Sequence, residues 1–193
     1  MRTEAKRFIL VLGFGVLTAA ALMVADGSAA AEVPSAEQHF SGSLVNLVAG
    51  ARRSQPFNLS VDHYSSEADL QRLAGILAAK GPYAVRDALW KSDAGNLKIG
   101  GGIGYPVGAV VSRDTPSGRK LWVLMNRPLR GFEVQYATRS SKYPFSVLEL
   151  TLDGQGKGEG TLIGAAQMRL KGDDLTIVSL GVQPIRALAV RAN

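Results

Sequence analysis

The stretch from Gly118 to Leu170, GRKLWVLMNRPLRGFEVQYATRSSKYPFSVLELTLDGQGKGEGTLIGAAQMRL, holds four apolar runs separated by turn chemistry. Leu121 to Met125 is continuously apolar, too short for a helix, and bounded by Gly118 and by Arg127-Pro128, which predicts a buried strand. The next run alternates, with Phe132, Val134 and Tyr136 on one face and Glu133, Gln135 and Ala137 on the other, the period of a half-buried strand. After Arg139-Ser140-Ser141-Lys142, the third run places Leu148, Leu150 and Leu152 on one face. Its opposite face carries Phe145, Val147, Glu149 and Thr151, so this strand is expected to be covered on both sides. The glycine-rich link Asp153 to Gly160 suits a hairpin loop with a bulge, and Leu162, Ala166, Met168 and Leu170 are expected to share a face on the way back. Short connections force such strands to pair antiparallel, as a meander.

Working outward, the N-terminus has Arg2, Lys6 and Arg7, an apolar run from Phe8 to Val24, and then Gly27-Ser28-Ala29-Ala30-Ala31. That order of charged, apolar and small residues is a secretory signal, with cleavage expected after Ala31 or Ala30. The run is also close to the roughly 20 residues that span a bilayer, so an uncleaved anchor is the competing reading. Residues 1–31 are read as signal, 32–39 as a flexible lead-in, and 40–193 as one β-rich domain. The chain is thus expected to be exported, periplasmic or secreted, with no stable membrane insertion once the signal is removed.

The sequence has no cysteine, so an exported form has no disulfide, no thiolate metal site and no cysteine nucleophile. The formal charge of +6 is spread along the chain, which suits solubility and weak attraction to anionic surfaces. Nucleic acid is not an expected partner, because no basic helix, zinc spacing or aromatic RNA-binding motif is present.

Before the meander, Phe40 to Val48 predicts a first strand. Phe57, Leu59 and Val61 alternate with Asn58, Ser60 and Asp62 as a second, joined through a hairpin at Gly50 to Ser54. The sequon Asn58-Leu59-Ser60 falls inside that strand and is read as coincidence. The period then changes. Ser66 and Asp69 make a capping-box-like start, Leu70, Leu73, Ala74 and Leu77 form a helical stripe, and Gly81-Pro82 ends it and opens a second helix in which Val85 and Leu89 share a face. A helical pair over about 66–91 is too small for its own core and must pack on the sheet.

Asp93-Ala94-Gly95-Asn96 reads as a turn, Leu97 to Ile99 as a short strand, and Val107 to Val111 as another, with Arg113 to Gly118 a hairpin connection. The glycines at 100–102 and 104 lack the following Lys-Ser/Thr of a phosphate loop and read as a sheet bend. Two further strands follow, Leu175 to Leu180 and Ile185 to Val190. The expected fold is mostly β (α+β), an antiparallel meander of about 8–10 strands closing into a barrel, with a two-sheet sandwich as the alternative.

Four pieces, Tyr64-Ser-Ser-Glu67 leading into Leu70 to Gly81, Asn126-Arg127-Pro128, Arg139 to Phe145, and Gly156-Lys157-Gly158-Glu159-Gly160, together resemble a family of small exported bacterial proteins to which no activity is assigned. The resemblance spans roughly Phe40 to Arg191. It implies a single exported domain and carries over no functional residue.

The only histidines are His39 and His63. No Gly-x-Ser-x-Gly elbow accompanies them, so no triad, metal set or cofactor motif is read. Glu149 is of interest because it shares a strand face with Phe145, Val147 and Thr151; a desolvated carboxylate there would need Arg127, Arg139 or Arg186 as partner. Arg127, Arg130, Arg139 and Lys142 bracket the Phe132 to Tyr136 run near Trp122, Tyr136 and Tyr143, a basic rim suited to an anionic head group. Trp122, Arg127, Tyr136, Arg139, Tyr143 and Glu149 are therefore the candidate ligand-binding residues. The favoured function is a non-enzymatic exported protein holding a small apolar or anionic amphipathic ligand in its barrel. The alternatives are an envelope-associated interaction protein with a filled core and a hydrolase using His63 or Glu149.

Overall fold

The computed structural model describes residues 37–46, 53–129, 143–171, 174–179 and 185–193. Strands β1 (Gln38–Asn46) and β2 (Arg53–Val61) come first, then helices α1 (Glu67–Lys80) and α2 (Pro82–Trp90). Strands β3 (Gly95–Ile99), β4 (Tyr105–Thr115), β5 (Gly118–Met125), β6 (Phe145–Asp153), β7 (Lys157–Lys171), β8 (Asp174–Ser179) and β9 (Ile185–Ala192) complete the order. The predicted Phe132 to Tyr136 strand, the Gly50 to Arg52 part of the first hairpin, the signal and most of the lead-in lie outside the described residues.

Consecutive strands pair antiparallel from β1 to β8, as the meander reading expects. Closure comes from β9, which lies between β1 and the first half of β7 while β7 also pairs β6. The result is a closed eight-stranded antiparallel barrel, with β8 an extra strand on the second half of β7. Among the described residues each of these eight strands has a paired neighbour on both sides.

Two apolar clusters follow from the alternation. The inward rows include Phe40 and Leu44 of β1, Phe57, Leu59 and Val61 of β2, Leu121, Val123 and Met125 of β5, and Leu148, Leu150 and Leu152 of β6, all at most 2% exposed. Outward residues of β4 to β8, among them Val111, Trp122, Leu124, Phe145, Val147 and Met168, meet Leu70, Leu73, Leu77, Val85 and Leu89 of the helices. β6 is thus buried on both faces over its first half. On the other side of the ring the outward rows are polar, with Ser41, Asn58, Ser60, Asn96 and Lys98 half-buried or exposed.

The helical pair forms as the sequence predicts. Ser66 caps α1 and Asp69 completes the capping box, its carboxylate accepting from the Ser66 backbone N–H at 3.0 Å and from Oγ at 2.7 Å. These hydrogen bonds hold the Asp69 carboxyl below its ordinary range, with Arg72 a smaller contribution. Gly81 separates the helices and Pro82 starts α2. The end of α2 sits so close to β4 that a Cβ on Gly108 would lie 2.7 Å from both the Cβ and the carbonyl oxygen of Leu89.

Several boundaries differ from the sequence reading. β1 begins at Gln38 and ends at Asn46 rather than running from Phe40 to Val48. β3 begins at Gly95, inside the expected Asp93 to Asn96 turn, because Gly95 can pair tightly with Val61. The β6–β7 turn is only 154–156, not the whole Asp153 to Gly160 link. Gly158 and Gly160 are already strand, and they let β7 approach the β6 carbonyls of Thr151 and Glu149 more closely than any Cβ would permit.

The largest correction concerns β7. Leu162 points into the barrel, whereas Ala166 and Met168 point out toward the helices. Between the pairs Val147↔Ile163 and Phe145↔Ala166, β7 has one residue more than β6. This bulge reverses the phase of the alternation, so the four residues expected on one face are split. The glycine loop carries its expected bulge at the turn, where Gly156 has φ +73° and donates its N–H to the Asp153 carbonyl at 3.0 Å, and a further bulge lies in β9, which has an extra residue against both β1 and β7. Ala189 in that bulge has φ +52°.

Candidate functional site

The register across β5, β6, β7 and β9 lines up outward residues from four strands. Trp122 is opposite Glu149, Glu149 opposite Thr161, and Thr161 opposite Arg186. The adjacent row places Lys120 opposite Thr151 and Thr151 opposite Glu159. Charge pairing runs diagonally between the rows, Lys120 Nζ to Glu149 Oε1 at 2.7 Å and Arg186 to Glu159 at 2.6 Å. Opposite charges at such cross-strand positions attract, weakly where water competes.

Glu149 is the most constrained member. Its other oxygen accepts from Trp122 Nε1 at 3.0 Å, and Lys120 Nζ also lies 5.2 Å from the centre of the Trp122 ring. The side chains of Lys120 and Glu149 are 32% and 31% exposed, so this cluster sits where the helix-covered sheet gives way to solvent. Alongside it runs an open groove of about 500 Å3, lined among others by Glu149, Thr151, Glu159, Thr161, Lys157 and Arg186. At its turn end Asp153 accepts from the N–H groups of Lys157 and Gln155, which hold its carboxyl below the ordinary range. A second groove of about 420 Å3 lies on the bare side of the ring, beside His39, Asn58, Ser60, Asn96, Lys98 and Asn193.

The predicted site residues separate. Trp122 and Glu149 are brought together, but on the outside of the barrel. Among the described residues the cation that Glu149 takes is Lys120, not Arg127 or Arg186; Arg186 is one strand further on and pairs with Glu159. Arg127 is exposed past the end of β5, and its guanidinium stacks on Tyr105, 4.7 Å from the ring centre. Tyr143 is half-buried just before β6. Tyr136 and Arg139, with Arg130 and Lys142 of the basic rim, lie outside the described residues. His63 is exposed between β2 and α1, and His39 is exposed on β1 with Glu37 at 3.4 Å.

At the end of the lumen where β1 begins, Arg119 reaches over the opening. It lies 5.8 Å from the centre of the Phe40 ring and 5.9 Å from that of Tyr64. It also donates to Gln38 Oε1 at 3.0 Å, to which Tyr64 donates from its hydroxyl at 2.8 Å. Burial pushes the Tyr64 phenol up, and the Arg119 charge partly offsets that. The position was missed in the sequence because Arg119 precedes the apolar run, although it continues the inward row of Leu121, Val123 and Met125. At the opposite end Leu129 is 2% exposed and donates its N–H to the Gly164 carbonyl, in the segment of β7 disturbed by the bulge.

Chemically, the outer cluster can recognise polar groups but is poorly placed for proton transfer. Each carboxylate already faces a cation, and both Glu149 oxygens are engaged. Among the described residues no group of three or more His, Cys, Asp or Glu side chains could hold a metal ion, and no helix is long and apolar enough to cross a membrane. In comparisons with known proteins, no family model, no curated protein and no solved structure matches the chain.

Proposed function

We propose that this is an exported, non-enzymatic interaction protein of the bacterial envelope, whose barrel is a filled scaffold and whose recognition surface is its exterior. The observation that carries this reading is the burial of the inward rows. Apart from Tyr64 and Ile99 at 8%, every member of the lumen cluster is at most 2% exposed. A cavity large enough for a small ligand would leave accessible area on its walls. Export is supported by the order of charge, apolar run and alanine cluster at the N-terminus.

The competing reading places a small apolar or anionic amphipathic ligand inside the barrel. It requires the inward rows to part, since the large side chains Phe40, Phe57, Leu121 and Leu150 now occupy the space. Purification from the native host followed by native mass spectrometry separates the two. The expected result is a chain beginning at Glu32 or Ala31, recovered from the periplasm or medium, with a mass equal to the polypeptide alone and no binding of apolar dyes. A stoichiometric apolar ligand released on denaturation would overturn the filled-scaffold reading in favour of the binder, and a chain retaining Met1 in the cytoplasm would overturn export.

A further inference from the structure

Helix α2 has two faces of different composition. Val85 and Leu89 are fully buried against the sheet. Tyr83, Arg86, Asp87 and Trp90 fall together on the opposite side, at the i, i+3, i+4, i+7 spacing that defines one helix face. Three large apolar side chains are exposed among the described residues, and two are Tyr83 at 46% and Trp90 at 64% on this face. Arg86 lies between them, its guanidinium 5.3 Å from the centre of the Tyr83 ring and 2.8 Å from Asp87. Aromatic rings flanking an arginine are the composition of an interface centre rather than of a solvated helix.

The order of the four residues identifies the occupant. Read in either direction the face is aromatic, charged, charged, aromatic, and its two charges are opposite. When a second α2 is laid antiparallel on it, about a two-fold axis midway between positions 86 and 87, Tyr83 meets Trp90 of the other copy and Arg86 meets Asp87. A surface that complements itself in this way is what an isologous contact requires. A membrane surface fits less well, because Asp87 would be carried into the headgroup layer between the two rings. We propose that the outer face of α2 is a self-association surface that pairs two copies of this chain through their α2 helices. The outer face of α1 assists, since Gly75, Ala78 and Ala79 are small and exposed, and a Cβ added at Gly75 would meet nothing within 4 Å.

The patch is small beside a standard interface of roughly 1,600 Å2, so the pairing is weak and concentration-dependent. Sedimentation velocity on the protein as recovered from its host, from about 1 μM to about 1 mM, is the direct measurement. The expected result is a monomer–dimer equilibrium in that range. Trp90→Ala raises the dissociation constant roughly ten-fold or more, with an unchanged thermal transition because the ring is exposed. Arg86→Asp alone abolishes pairing by placing like charges across the axis, and the double reversal of Arg86→Asp with Asp87→Arg restores it. A monomer at every concentration, a dimer indifferent to Trp90→Ala, or a double reversal that fails to rescue would each overturn the proposal. Co-sedimentation of a monomeric protein with phosphatidylglycerol vesicles, lost in Trp90→Ala, would overturn it too and assign the face to a lipid surface.

Discussion

The lumen and the helix–sheet interface are both buried and apolar, yet they are enclosed differently. Around the lumen every wall is a strand hydrogen-bonded to two neighbours in a closed ring, so the inward side chains can relax only if the ladder distorts. Under the helices one wall is that same ring, but the other is two short helices joined at Gly81 and entering and leaving between β2 and β3. A helix can slide or tilt by fractions of an ångström without breaking its own hydrogen bonds. The difference teaches that burial alone does not set sensitivity, because the cost of a lost side chain depends on how far its surroundings can close over the gap.

The largest expected effect tests this directly. Leu150 is 0% exposed in the lumen and Leu77 is 8% exposed under α1. Leu150→Ala is expected to lower the free energy of unfolding by about 4 kcal/mol, near the upper part of the range for such truncations, and Leu77→Ala by about 2 kcal/mol, near the lower part. Chemical denaturation of both variants checks it. Equal losses would break the comparison, and a larger loss at Leu77 would reverse it.

A second prediction concerns the place where the two regions meet. Gly108 sits in a part of β4 where the register to β5 shifts between Val107 and Ala109, and it is the strand position on which α2 ends. A methyl group there would be 2.7 Å from Leu89 Cβ and its carbonyl oxygen, well inside contact distance, so α2 must lift. Gly108→Ala is expected to cost about 2 kcal/mol, the usual scale of overpacking. Amide exchange should place the loss in α1 and α2, with the barrel strands retaining their protection. A uniform fall across β1, β2 and β9 would mean that the helical layer and the ring open as one unit.

How far these features were legible from the residues depends on the range of the interaction that creates them. The capping box at Ser66 and Asp69, the stripe Leu70, Leu73, Leu77 and the two-sided burial of Phe145 to Leu148 were all legible, because each is decided within a few residues by helical or strand period, whereas the outer face from Glu149 to Thr151 opens to solvent. The outward phase of Ala166 and Met168 was not, since a bulge is one residue inserted against a partner strand and leaves the local alternation looking regular. Closure through β9 was equally hidden: it joins residues near 40 to residues near 190, and nothing in either segment names the other. The candidate site shows the same limit. Alternation put Glu149 on a face with Val147 and Thr151, but not which face looked inward. The cation diagonal to it could not be read because 19 residues, 126–144, separate β5 from β6 in the sequence, too many to set a register. Lys120 therefore went unnoticed beside Arg127, Arg139 and Arg186, and Gly108 gave no signal beyond being a glycine in an apolar run.

The smallest expected effect has the opposite sign and belongs to the ring alone. Ala189 is exposed in the β9 bulge with φ +52°, a left-handed conformation that costs an L-residue with a Cβ about 1–2 kcal/mol. Its methyl group, being in solvent, returns little by packing. Glycine adopts that conformation freely but loses more freedom on folding, about 0.5–1 kcal/mol relative to alanine. Ala189→Gly is therefore expected to stabilise the protein by about 0.5 kcal/mol net, a rise of about 1–2 °C in melting temperature for a chain of this size. The gain should appear as slower amide exchange in β9 and in β1 and β7 on either side of the bulge, and not in α1 or α2. If the helices gained as much as the ring, the two regions would be one cooperative unit, and the unequal losses expected at Leu150 and Leu77 would have to come from local packing rather than from the way each region is enclosed.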